Sequence, residues 1–269
     1  MDWNKTKTIF IIVFSILNIF LYYLYLDRVM ETESVQVLGK TSIEESLRLD
    51  NITFTDLPLV TKDSSYVSAK IVTFTSEQIK KLENQTAEVV NNTYLQSKME
   101  TPISVRSGKG DYDFTEFLMK YVLNGLDYVL WEVNEEERHA LFFQKVDNHP
   151  IYFSPDAMLV IHWDEEGRVT NYDQRMFGEF VSFNNKKDLL SPIEALGSLS
   201  SRGHLNQDSK VKSMKLGYST LVQLTETQVF APTWHVHVEL KDGTIEDHFI
   251  HAVEGKIIEF QEVVDDEHE

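Results

Sequence analysis

The stretch TWHVHVELKDGTIEDHFIH, residues 233–251, decides how the C-terminal part of the chain is read. Side chains of a strand repeat with period two, so Trp234, Val236, Val238 and Leu240 share one face, while His235, His237 and Glu239 share the other. Asp242-Gly243 is a two-residue hairpin signal. Closed through that turn, Glu239 pairs with Glu246, His237 with His248 and His235 with Ile250. The opposite face then sets Trp234, Val236, Val238 and Leu240 against Ile245, Asp247, Phe249 and His251. A hairpin with one apolar face belongs to a half-buried antiparallel sheet.

The polar face raises a chemical question. His235, His237, His248 and Glu239 are the residue types that hold zinc, and at least three would have to converge. Any half-buried hairpin also produces a wet face of this kind, and Ile250 intrudes upon it. The solvated face is the expectation, with no metal and no cofactor assigned.

Working outward, Ser191-Pro-Ile-Glu194 marks a helix start, with Ser as N-cap, Pro at the first helical position and Glu three residues on. Ile193, Leu196 and Leu199 form its buried stripe, and Gly203 ends it. Strands are expected at 211–218, 229–240, 244–253 and 256–263. The preceding region repeats this order. Residues 66–74 alternate as a strand. Ser76 then caps a helix whose stripe is Ile79, Leu82, Thr86, Val89, Val90 and Thr93, stopped by Pro102. A second helix starts at Asp113, with Glu116 completing a capping box and Gly125 past its end. From Tyr128 to Phe183 the chain reads as strands, with turns at Asp147-Asn-His-Pro and Asp164-Glu-Glu-Gly. The fold class is therefore α+β: two helix-on-antiparallel-sheet units, residues 58–185 and 186–263, followed by an acidic tail, 264–269.

Composition narrows function. A net charge of −18 over 269 residues repels phosphate backbones, so no nucleic-acid partner is expected. With no cysteine, disulfides, zinc-thiolate sites and a Cys nucleophile are excluded. There is no Gly-rich phosphate loop, HExxH, Gly-x-Ser-x-Gly or EF-hand loop. Ser209-Lys-Val-Lys212 matches Ser-x-x-Lys without its companion motifs and reads as a solvated strand start. An enzyme is not expected.

The N-terminus is of another kind. No residue from Thr8 to Leu26 is charged. As a helix that segment is about 28 Å long, close to the roughly 30 Å hydrocarbon core. It lacks a small-x-small cleavage site, so it reads as an uncleaved anchor. Lys5, Lys7 and the α-amino group precede it, while on the other side Arg28 is soon followed by Glu31 and Glu33. The positive-inside rule places the short tail, 1–7, in the cytoplasm and everything beyond Asp27 outside. Trp3 and the Tyr22, Tyr23 and Tyr25 cluster suit the interfacial belts. Ile11, Ser15, Asn18 and Tyr22 lie on one helical face. Near mid-bilayer Asn18 either hydrogen-bonds a neighbouring helix or bonds its own backbone. A juxtamembrane linker, 27–57, contains a short helix marked by Ser42-Ile-Glu-Glu45.

The run MDWNKTKTIF (residues 1–10), continuing to Leu17-Asn18-Ile-Phe-Leu21, resembles the YycI (WalI) family of Gram-positive bacteria. So do residues 42–52, SIEESLRLDNI, then Pro232-Thr-Trp234 and the hairpins at Gly243 and Gly255. The resemblance spans essentially the whole chain. It implies an external fold like the domains of YycH and a single-pass cell-membrane protein without catalytic motifs. It also implies a regulator that works with a YycH-like protein on the YycG/WalK sensor histidine kinase, which governs cell-wall metabolism. The rival expectation is an external ligand- or peptide-binding module, or a protease inhibitor, merely tethered by the helix.

Overall fold

A computed structural model of the chain describes residue 7 and residues 10–24, 40–54, 57–59, 64–107, 110–183 and 187–260, with side chains of the second helix described from Ile43 onward. The expectations for the cytoplasmic tail, for Thr8, Ile9, Tyr25 and Leu26, for most of the linker and for the acidic tail lie outside these residues. Helix α1 covers residues 10–24. It is followed by α2 (Lys40–Leu49), α3 (Ser76–Ile79), α4 (Thr115–Tyr121) and α5 (Pro192–Ser201). In chain order the strands are β1 (Thr53–Phe54), β2 (Val67–Ile71), β3 (Gln85–Val90), β4 (Tyr94–Ser104), β5 (Tyr128–Asn134), β6 (His139–Val146) and β7 (His149–Tyr152). They continue with β8 (Met158–Trp163), β9 (Arg168–Gln174), β10 (Phe177–Ser182), β11 (Lys210–Gln223), β12 (Thr227–Glu239), β13 (Ile245–His251) and β14 (Ile257–Ile258).

The protein is mixed α+β and dominated by sheet. One half runs β6-β8-β9-β4-β3, with β5 on the free side of β6, and buries its inner face under α4. The other centres on β12, which pairs with β11 along one edge and with β2 and then β13 along the other. Between them, β7 pairs antiparallel with β6 and parallel with β11, making the two halves one continuous sheet. Among the described residues no helix is long and apolar enough to cross a membrane. The described part of α1 is about 22 Å long.

Strand β12 shows how local chemistry meets this topology. Its Thr227–Phe230 portion bonds β2 and its Thr233–Glu239 portion bonds β13. Pro232 stands at the changeover, where its missing N–H costs no ladder bond, and its carbonyl accepts from the Ala252 N–H at 2.8 Å. Trp234, Val236 and Val238 pack with Ile193, Leu196 and Leu199 of α5 and with Ile43 and Leu47 of α2. The helix expected at Ser42–Glu45 thus belongs to this core, and α2 approaches α5 so closely that a Cβ on Gly197 would lie 2.9 Å from Ile43 Cγ2. The α5 start is as the sequence predicts: the Ser191 hydroxyl accepts from the Glu194 N–H, and the Glu194 carboxylate accepts from the Ser191 N–H.

Three expectations are corrected. The helix from Ser76 ends at Ile79, and residues 85–90 form β3 instead. Thr75, not Ser76, is its cap, in a reciprocal box with Gln78. Thr86, Val89 and Val90 are β-branched and fit a pleated surface as well as a helical stripe. Asn91 (φ 50°) and Asn92 (φ 64°) supply the left-handed pair of a tight hairpin turn, committing them to β3–β4. Pro102 therefore sits within β4, where the register against β9 shifts. Second, α4 begins at Thr115 with Phe114 at the N-cap and no side-chain cap. Asp113 instead accepts from the Thr115 N–H, and Glu116 pairs with Lys120 one turn on. Gly125 lies beyond the helix under Leu118, whose carbonyl oxygen a Cβ would meet at 2.0 Å.

Third, the β12–β13 hairpin is offset by one residue from expectation. Glu239 pairs with Ile245, His237 with Asp247, His235 with Phe249 and Trp234 with Ile250. The loop has three residues, not two. Gly243 (φ 88°) closes a turn by donating to the Leu240 carbonyl, and the Leu240 N–H donates to Thr244. The Asp242 carboxylate takes the Thr244 N–H at 2.9 Å. A left-handed glycine after a tight turn is the usual three-residue hairpin solution. Because strand side chains alternate, that single residue exchanges the faces of every β13 residue.

Where β7 meets β11, a Cβ on Gly217 would lie 2.3 Å from the Tyr152 ring and 2.6 Å from the Pro150 carbonyl oxygen. Gly217→Ala should destabilise the protein by about 1–3 kcal/mol, as overpacking does, read as a lower urea midpoint with an unchanged slope. An unshifted midpoint would show that the two halves do not depend on this close approach.

Candidate functional site

The register of the hairpin brings together residues that the expected pairing separated. Asp247 joins His235 and His237 on one face, and Phe249 joins them in place of Ile250. Asp247 Oδ1 lies 2.6 Å from His235 Nε2 and 2.7 Å from His237 Nδ1. An ionised carboxylate only accepts, so each of those nitrogens carries a proton. Burial alone would raise the Asp247 pKa, but the hydrogen bonds and charges of the two histidines outweigh it and hold the carboxyl below its ordinary range.

The site is walled by aromatic rings from both halves of the sheet. The His235 ring stacks on Phe249, with centroids 4.9 Å apart and planes 17° apart. Trp131 of β5 and Tyr152 of β7 lie against it at 5.0 and 5.5 Å. His235 is buried and its rotamer is held by this packing; His237 is half-buried. In front of them opens a cavity of about 670 Å³, lined also by Glu132, Lys145, Ser213 and Lys215. The Tyr152 hydroxyl is buried beside it and has no hydrogen-bond partner among the described residues. Burial and the Asp247 charge push its pKa up, so it is a neutral donor.

The other sequence candidates go elsewhere. His248 faces the opposite side of β13, within 5.9 Å of the His204 ring, and burial lowers its pKa. Glu239 is held by Lys212 at 2.6 Å. That ion pair also takes Lys212 away from Ser209, so Ser-x-x-Lys builds no nucleophile pair. His251 accepts the Val253 and Glu254 N–H groups on Nδ1, shaping the turn into β14. Among the residues that could hold a metal, His235, His237 and Asp247 form a group whose donor atoms all lie within 4.8 Å of one another. Asp247 was missed because the shorter loop sends it to the apolar face. The left-handed preference of Gly243 was the available signal.

At the N-terminus, the described side chains of α1 are exposed, Phe10 at 75% and Leu24 at 46%. Asn18 Nδ2 donates to the Phe14 carbonyl at 2.8 Å. Ile11, Ser15, Asn18 and Tyr22 lie within this exposed helix.

These features define a sheet-dominated α+β protein that carries, among the described residues, a His-Asp-His cluster beside an aromatic-walled cavity, with no catalytic signature in its sequence. A family model described as YycI protein matches residues 32–253, and the chain belongs to the YycI family. This is a family of regulatory proteins rather than one known for enzymes. No curated protein matches the chain. Among solved structures it is similar to an uncharacterized protein from Eubacterium rectale ATCC 33656, with 13% identity, a TM-score of 0.47 and 79% and 92% of the two chains covered. It is also similar to the Bacillus megaterium YpeB C-terminal domain, with 14% identity, a TM-score of 0.37 and coverage of 83% and 98%.

The Asp247 cluster predicts an acid-side stability slope. A carboxyl with a lowered folded-state pKa contributes stability that is complete above its ordinary value of 3.8 and lost as pH falls through the lowered value. Asp247→Asn should flatten that part of the stability–pH curve and cost about 1–2 kcal/mol at neutral pH, the scale of a partly exposed charged hydrogen bond. Chemical denaturation across roughly pH 2–7, from within the carboxylate range to neutrality, checks both effects.

Proposed function

We propose that the protein is a single-pass cell-membrane regulator of the YycG/WalK sensor histidine kinase, acting with a YycH-like partner. The observation that carries this reading is the family match over residues 32–253. It is supported by the uncharged run from Thr8 to Leu26, with Lys5 and Lys7 on one side and Asp27, Arg28, Glu31 and Glu33 on the other. In this reading the N-terminal tail is cytoplasmic, the segment 8–26 spans the bilayer, and the sheet-rich part lies outside the cell.

Contact with partner helices runs through the face of Ile11, Ser15, Asn18 and Tyr22. An asparagine amide has two N–H donors and a carbonyl acceptor. The bond to Phe14 uses one donor, so the rest of the amide can engage a neighbouring helix without breaking the backbone bond. Interhelical hydrogen bonds of this kind contribute about 0.6–2 kcal/mol, or roughly a 3- to 30-fold change in association. The external part would hold the assembly in register or respond to a signal outside.

A second reading, an external ligand-binding module tethered by the helix, is favoured by the 670 Å³ cavity and its converging polar groups. Replacing residues 8–26 with an unrelated transmembrane helix separates the two, because regulation that survives the exchange belongs to the tethered module. For the first reading, Ser15→Leu with Asn18→Leu should lower co-purification with the kinase by a factor in the range above. Unchanged recovery would refute helix-mediated contact.

A further inference from the structure

We infer that His235, His237 and Asp247 form a binding site for one divalent transition-metal cation of the Zn²⁺ class, open to the cavity between the two halves of the sheet. The donor set is two imidazoles and one carboxylate on adjacent strands, which suits Zn²⁺ and its neighbours better than Mg²⁺ or Ca²⁺.

The geometry lies one small step from coordination. Ligands about 2.1 Å from a tetrahedral zinc stand about 3.4 Å apart. Here Asp247 Oδ1 is 2.6 and 2.7 Å from the two ring nitrogens. Lengthening the two carboxylate–imidazole distances by less than about 1 Å makes room for an ion, and the two ring nitrogens already lie within 4.8 Å of each other. As the metal enters, the protons now on His235 Nε2 and His237 Nδ1 shift by way of solvent to the other nitrogen of each ring, since only an unprotonated nitrogen can bind it. The hydrogen-bonded cluster is then the metal-free resting form of the same three atoms.

Two further observations point to a ligand at this place. The His235 ring is fixed by Phe249, Trp131 and Tyr152, so one donor is already oriented by packing as well as by Asp247. The Tyr152 hydroxyl, 1% exposed as a residue and lacking a partner among the described residues, lines the same cavity. A buried neutral donor left unpaired costs free energy that a fourth ligand accepting its proton would recover. Lys145 and Lys215 stand on the cavity wall, outside the donor set, and favour an anionic group in that open position. Glu132 lies on the same wall. Nothing in this site depends on the regulatory reading, and loss of kinase association would leave it untouched.

The test uses full-length protein in detergent micelles, stripped with a chelator and titrated with Zn²⁺ by calorimetry and with Co²⁺ by visible absorption. One equivalent should bind, and Co²⁺ should show the intense d–d bands of a four- or five-coordinate site. His237→Gln and Asp247→Asn, both at accessible positions, should each weaken binding on the order of 100-fold, at or beyond the cost of losing a supporting residue. His248→Gln, on the other face of β13, should leave affinity unchanged. His235→Gln is avoided because it disturbs a packed ring. Absence of one-to-one uptake overturns the assignment. So does uptake that survives the His237→Gln, Asp247→Asn double variant, because the ion would then sit elsewhere, as on the acidic C-terminal residues.

Discussion

Strand β12 is hydrogen-bonded along both edges, and the rest of the molecule is arranged around that constraint. A buried strand must satisfy every backbone N–H and C=O. Here β11 takes one edge, while β2 and β13 divide the other on either side of Pro232. With both edges closed, the side chains of β12 can only point to its two faces. Trp234, Val236 and Val238 go to the core beneath α2 and α5. His235 and His237 go to the aromatic cavity. The core and the site are thus two sides of one strand, and a change that moves one moves the other.

The two halves of the sheet meet at the site because β7 joins β6 to β11. Phe143 and Tyr152 carry the outer face of the first half, and Phe249 carries that of the second. Trp131 on β5 and Phe153 after β7 pack into the same cluster. Such a junction is where ligand sites commonly form, since it combines apolar walls with a few converging polar groups.

The hairpin register is the point on which the chemistry turns. A two-residue loop would have placed His248 beside His237 and sent Asp247 to the apolar face. The three-residue loop places Ile250 in the core, fully buried, and sends Asp247 to the histidines. Burying an isoleucine in place of an aspartate is the larger effect, since apolar burial contributes about 1.5–3 kcal/mol while burying an unpaired carboxylate costs several. Gly243 makes the loop possible; the core makes it necessary.

Much of this could be read from residue order alone. The α+β class, the alternation of Trp234 to Leu240, and the Ser191-Pro192-Glu194 start of α5 were all legible, because capping and alternation are local and depend on neighbours within a few positions. Residues 85–90 were not, because Thr86, Val89 and Val90 satisfy a period of 3.6 and a period of two alike, and only pairing with β4 chooses between them. Nor was Asp247 as a partner of His235 and His237, nor the docking of α2 on α5 across Gly197. Those depend on which side chains fill a shared interior, and that competition is between residues far apart in the chain.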